Sequence, residues 1–256
     1  MPQTQIRALL FDVFGTVVDW RSSVSAELEA LGKKTGAPPD TDWIQFAEEW
    51  RAGYMKNTFV FRISRIVAEG GQGPSSVDVM HRQILDGLLK SPEWAHLGKL
   101  WDEDTRQNLN LAWHRLNGWP DTVEGLHALK KQVIIATLSN GNVRLLVDMA
   151  KHAGLPWDTV FSTELFDTFK PNPKAYQSAM RHLSLPPENC AMVAAHIYDL
   201  QAAAKNGMKT VYVHRPLEDD GPLKAVGGVK TKAEGGEVDY VVHSFVELAE
   251  IFSKGN

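Results

Sequence analysis

Five short runs of apolar residues rich in branched side chains, at 8–14, 133–138, 190–195, 210–213 and 240–242, constrain this chain more than any other feature. Each is nearly continuous rather than alternating, and each ends in a polar cluster. That is the pattern of a strand buried on both faces. Helical stretches lie between them, at 122–131, 143–153, 173–183 and 200–206. Strands alternating with helices predict an α/β fold, a doubly wound parallel sheet with a Rossmann-like core. From Trp20 to about Trp113 the rhythm stops, and amphipathic patterns appear at 22–34, 42–54, 77–89 and 105–116. A helical insertion after the first strand predicts a cap subdomain at 20–116, with 1–19 and 117–256 forming the core. The turn-rich Asn117-Gly118-Trp119-Pro120 marks the return. Residues 217–237, with Gly221, Gly227, Gly228, Gly235 and Gly236 among lysines, read as a surface loop.

Composition narrows the function classes. Lysine and arginine number 27 against 31 acidic residues, a formal net charge of −4. A general nucleic-acid or anionic-membrane binder needs a cationic surface, so neither partner is expected. The lone cysteine, Cys190, excludes an internal disulfide and fits a reducing compartment; its place at the start of a buried run predicts a core residue. No apolar run approaches the ~20 residues of a membrane helix. The opening Met1-Pro2-Gln3-Thr4-Gln5 lacks the basic and apolar regions of a signal peptide. The expectation is a soluble cytoplasmic protein.

In open α/β sheets, sites lie at the carboxyl ends of the strands. The first run ends in Asp12-Val13-Phe14-Gly15-Thr16, the second in Ser139-Asn140-Gly141. Next comes Phe169-Lys170-Pro171-Asn172-Pro173, with Tyr176 one turn into the following helix, and the next run ends in Ala194-Ala195-His196-Ile197-Tyr198-Asp199. A carboxylate at a buried strand end is costly unless paired. A lysine beside it keeps it ionised, as a nucleophilic aspartate requires. Taken singly, each has an ordinary reading: Asp12 as a helix cap, Ser139-Asn140-Gly141 as a turn, Lys170 as a solvated loop residue, Tyr176 as packing. Trp43, Trp50 and Trp101 of the insertion read as core.

Together, Asp12-x-x-x-Thr16, Ser139, Lys170 and Asp199 resemble the four motifs of the haloacid dehalogenase superfamily, and the resemblance spans nearly the whole chain, helical insertion included. Superfamily phosphatases carry a second aspartate two residues after the nucleophile, as acid/base and magnesium ligand. Phe14 stands there in this chain and transfers no proton. A halide leaving group needs none, so the sequence looks like the hydrolytic 2-haloacid dehalogenase branch, acting without a metal cofactor. The resemblance implies that Asp12 attacks C2 of a short 2-haloalkanoic acid to form an aspartyl ester, with Thr16, Lys170 and Tyr176 supporting it. Val13, Phe14, Ser139 and Asn140 match substrate-carboxylate contacts. Asp199, with the lysine, matches the carboxylate that orders the hydrolytic water. Trp50-Arg51 matches a pair placed on a cap helix, where Arg51 receives the halide or positions the substrate carboxylate; read alone, Arg51 is a surface helix arginine. The expected partners are a small halogenated acid and water, and the resembled family often forms homodimers.

One departure is local: better-known members have Ser-Ser-Asn-x-x-Asp where this chain has Ala194-Ala195-His196-Ile197-Tyr198-Asp199. His196 is readable either as a new partner for the hydrolytic water or as a satisfied structural histidine. The alternatives are a magnesium-dependent phosphatase of the same superfamily, a receiver-like non-catalytic module, and a fold relative with a decayed site.

Overall fold

A computed structural model describes residues 5–59, 76–219 and 228–254. The chain divides into two compact units, one formed by Met1–Asp19 with Gly118–Asn256 and the other by Trp20–Asn117.

The first unit is a single parallel sheet flanked by helices, the expected fold class. Its strands are β1 (Ala8–Phe11), β2 (Ile134–Ser139), β3 (Thr159–Ser162), β4 (Cys190–Ala194), β5 (Lys209–Val213) and β6 (Tyr240–Val242). They lie in the order β3-β2-β1-β4-β5-β6. β1 is central: Ala8 pairs with Ile134 on one side and Cys190 on the other, and all four of its residues are fully buried. That is why its sequence is an unbroken apolar run. The chain winds outward from β1 to β2 and β3, then returns to the opposite side of β1 at β4. This reversal opens a crevice at the carboxyl ends of β1 and β4, the switch point where such sheets bind ligands.

The sheet has six strands among the described residues rather than the five expected. The missed one, β3, is a short edge strand with only its last two residues buried. It pairs on one side alone, so it needs no long apolar run. The first predicted run also overshoots, because β1 stops at Phe11 and the chain turns at Asp12. Of the predicted surface loop, residues 220–227 lie outside the described residues. The described part contains exposed Leu217 and a capped 3-10 turn at Lys232–Glu234.

The second unit is helical: α1 (Trp20–Thr35), α2 (Trp43–Phe59), α3 (Val77–Leu88), α4 (Ala95–Leu100) and α5 (Glu103–Asn110), followed by a 3-10 turn at Leu111–His114. The pattern at 105–116 therefore divides in two. Asp102 starts α5 early by accepting from Thr105 N at 2.9 Å. The core is aromatic. Phe46, Trp50, Trp94, Trp101 and Trp113 are buried, with Phe46 edge-on to Trp50, Trp94 and Trp101. Buried indole N–H groups find acceptors: Trp50 Nε1 donates to His81 O at 2.8 Å and Trp101 Nε1 to Thr35 Oγ1 at 3.1 Å. Trp43 is only half-buried, lying over Gly32, where a methyl group would overlap its ring.

Back in the sheet unit, α6 (Thr122–Lys130), α7 (Val143–Ala153), α8 (Pro173–Leu183), α9 (Ile197–Lys205) and α10 (Phe245–Lys254) complete the elements. α7 ends at Gly154 in the left-handed conformation. Asn172 caps α8, with Pro173 following at its first position. Val18 bridges to Gly118, so the outgoing and returning chains meet in this unit. Among the described residues no helix is long and apolar enough to cross a membrane.

Candidate active site

β1 delivers Asp12 to the crevice. Its amide still bonds to Val193 O at 3.0 Å, so the residue leaves the sheet in register. The amides of Val17 and Val18 then return to Val13 O at 2.9 and 3.2 Å, closing a tight turn. Gly15 makes that turn at φ +81°, which costs glycine little and other residues more. A methyl group there would also overlap the Glu218 carboxylate. Thr16 Oγ1 donates to Asp12 Oδ2 at 2.8 Å and accepts from Ala195 N at 2.9 Å, tying the turn to the end of β4.

Lys170 reaches the same point from the loop after β3. Its Nζ donates to Asp12 Oδ1 at 2.8 Å and to Asp199 Oδ2 at 2.5 Å. Tyr176, one turn into α8, donates its hydroxyl to Asp199 Oδ1 at 2.5 Å. All these side chains are buried, Asp199 almost completely. Burial alone drives a carboxylate toward its neutral form. At Asp12 that effect is outweighed by the Lys170 ammonium and by His196, which hold its carboxyl far below the usual range. Burial likewise opposes the Lys170 charge, but Asp12 and Asp199 overcome it and raise its pKa. Asp199 is shifted upward, by burial first and by the neighbouring Asp12 charge, against the pull of Lys170. Burial and then Asp199 push the Tyr176 phenol up, so it remains a donor.

His196 closes the crevice from the end of β4. Its Nδ1 lies 3.1 Å from Asp12 Oδ2 and its Nε2 2.9 Å from Glu218 Oε2. Burial disfavours the imidazolium, but hydrogen bonds to Asp12 and Glu218 prevail and push its pKa up to about 10. His196 also occupies the N-cap of α9 without capping it. Asp219 does so instead, accepting from Ile197 N at 2.5 Å. Sequence reasoning missed Glu218 and Asp219. They lie just beyond β5, at the carboxyl end of the sheet, and that position was the available signal. The surrounding glycines and lysines made the stretch read as a plain surface loop.

The β2 end adds further hydrogen bonds beside this cluster. Ser139 Oγ accepts from Gly141 N at 3.2 Å. Asn140 Oδ1 accepts from Lys170 N at 2.7 Å and Thr163 Oγ1 at 3.1 Å, and so holds the lysine loop. Phe14 is buried, and a methyl group on Gly141 would lie 3.2 Å from its ring. Val13 is buried within the turn. Cys190 is core, its thiol pushed up to about 11 by burial. Arg51 belongs to the helical unit. It is buried rather than on the surface, its guanidinium 5.6 Å from the Trp20 ring centroid and 5.0 Å from that of Tyr54.

The structure thus brings Asp12, Thr16, Lys170, Tyr176, His196 and Asp199 into one bonded cluster. An ionised carboxylate, a cation and an imidazole within hydrogen-bonding distance suit nucleophilic attack followed by hydrolysis. Fold and cluster define a doubly wound core, interrupted after its first strand by a helical unit and carrying a carboxylate–lysine–carboxylate site at its switch point. A model of the haloacid dehalogenase-like hydrolases matches residues 6–207, and the chain belongs to that family. It is 27% identical over 226 residues to (S)-2-haloacid dehalogenase 4A of Burkholderia cepacia, covering 86% of this chain and 89% of that one. Among solved structures, an L-2-haloacid dehalogenase is 37% identical with a TM-score of 0.79, the match covering 96% of this chain and 99% of the other. A defluorinating L-2-haloacid dehalogenase is 34% identical with a TM-score of 0.81, covering 98% of each.

Proposed function

We propose that this hydrolase cleaves the carbon–halogen bond of short 2-haloalkanoic acids, such as haloacetates and 2-halopropionates, through an ester on Asp12. The observation that carries this reading is a buried, ionised Asp12 held by Lys170 and Thr16, with apolar Phe14 where a phosphatase needs its proton donor. Asp12 attacks C2, the carbon–halogen bond breaks, and halide leaves with the electron pair, inverting a chiral centre. Halide departure requires no proton, so the missing second aspartate costs this reaction nothing and a phosphatase its leaving-group acid. The similarity to named 2-haloacid dehalogenases supports the same substrate class.

Lys170 offsets the charge of the substrate carboxylate and of Asp199. The turn amides at Val13 and Phe14 and the groups at Ser139 and Asn140 receive the substrate carboxylate. Water ordered near Lys170 and Asp199 then hydrolyses the ester.

Halide release from chloroacetate, fluoroacetate and each 2-chloropropionate enantiomer, with EDTA present, tests the reading. Wild type is expected to release halide, and Asp12→Asn to lose about 10⁴-fold or more of the rate. Phosphate release with magnesium and no halide from any acid would overturn it.

A further inference from the structure

We propose that His214 and His243 form a two-histidine site for a divalent transition-metal ion, zinc or copper, that staples the edge strand β6 to β5. The site takes no part in the catalytic cluster, so it stands or falls separately from the dehalogenase reading. Val213 pairs with Val242 at the ends of the two strands, and His214 N extends the ladder by donating to Val242 O at 2.9 Å. His214 and His243 therefore follow in the same register. Parallel neighbours in register project to one side of the sheet. Val213 and Val242 are fully buried, and the next position on each strand carries an exposed imidazole. The ring centroids are 5.6 Å apart, with 46° between the ring planes.

That spacing suits a shared ion. Neutral imidazole binds zinc, copper or nickel through one ring nitrogen. With each metal–nitrogen bond about 2.0–2.1 Å long, two rings at a tetrahedral angle bring their centroids to about 5 Å. A small side-chain rotation covers the difference. Among the described residues no hydrogen bond ties either ring elsewhere. The Glu247 carboxylate accepts from His243 N at 2.7 Å and sets a negative charge beside the pair, which favours a cation. No group of three or more His, Cys, Asp or Glu side chains has the arrangement of a metal site among the described residues. The ion therefore takes two protein ligands and completes its shell with water. Hard cations such as magnesium prefer oxygen donors, which this pair does not offer. β6 has three residues and pairs on one side only, so its ladder alone holds it weakly, and a second tie to β5 stabilises it against local opening.

Calorimetric titration of zinc chloride into the full-length protein, in a non-chelating buffer, tests the site. One ion per chain is expected. His214→Asn and His243→Asn are each expected to weaken binding by at least about 10-fold, because either change removes a ligand. His127→Asn, at an exposed histidine on α6, is expected to leave binding unchanged. With cupric ion, the electron paramagnetic resonance spectrum of wild type is expected to show coupling to two imidazole nitrogens, falling to one in either variant. Hydrogen exchange at the amides of β6 and His214 is expected to slow with zinc in wild type, and not with magnesium. No binding by wild type, binding undiminished in either variant, or coupling to a single imidazole nitrogen in wild type would overturn the paired site. Exchange at β6 left unchanged by bound zinc would overturn the staple.

Discussion

At the scale of single residues, the site is a set of obligations in which each buried polar group satisfies another. Tyr176 shows the consequence. Its hydroxyl holds one oxygen of Asp199, a carboxylate only 1% exposed, while Lys170 holds the other. Tyr176→Phe leaves the shape intact and one carboxylate oxygen without its donor, which costs about 2 kcal/mol. Urea denaturation is expected to show that loss, together with slower turnover as Asp199 shifts further toward its neutral form. A variant as stable as wild type would mean that the Asp199 oxygen finds another donor.

At the scale of elements, the helical unit depends on a histidine buried without a hydrogen bond. His81 of α3 stacks on Trp113 at 4.4 Å and lies near Trp50 and Tyr54, and neither ring nitrogen has a hydrogen-bond partner among the described residues. Burial, reinforced by Arg51, lowers its pKa to about 3. The unfolded chain binds a proton there near 6.5, whereas the folded chain resists until about 3. The unfolded state therefore holds more protons across this window. Stability is full above about 6.5 and falls as the pH drops, by about 1.4 kcal/mol per unit from this group. His81→Phe keeps the stacking and removes the titration. Urea midpoints at pH 7, 5.5 and 4.5 are expected to decline less steeply in the variant, and equal slopes would refute the assignment.

At the scale of the whole molecule, one buried ion pair gathers chain segments far apart in sequence. Arg215, beyond β5, donates to both Asp121 oxygens at 2.6 and 3.0 Å and to Thr16 O at 2.9 Å. Asp121 in turn accepts from Phe245 N at 2.7 Å, at the start of α10, and the guanidinium lies 4.6 Å from the Phe245 ring centroid. The pair joins the turn after β1 to the starts of α6 and α10. Arg215→Ala strands a partly buried carboxylate and is expected to cost about 3 kcal/mol, lowering the melting temperature by roughly 10 °C. Adding Asp121→Ala to it is expected to cost little more, and additive losses would show that the two act independently.

Much of this was legible in the chain itself, wherever local chemistry forces the outcome. Strands buried on both faces must be apolar throughout, so β1, β2, β4, β5 and β6 announced themselves, and their polar ends located Asp12, Ser139 and His196. β3 stayed hidden because an edge strand of four residues needs little burial. Glu218 and Asp219 stayed hidden because a loop carboxylate has no period, and only the fold back over Gly15 and α9 gives those two their partners. Asn140 stood out at a polar strand end, and the tertiary structure decided that its side chain accepts from the Lys170 amide. Sequence determined which residues cannot face water. Which polar groups answer one another was decided by tertiary structure, because hydrogen bonds act within about 3 Å in space and disregard separation along the chain.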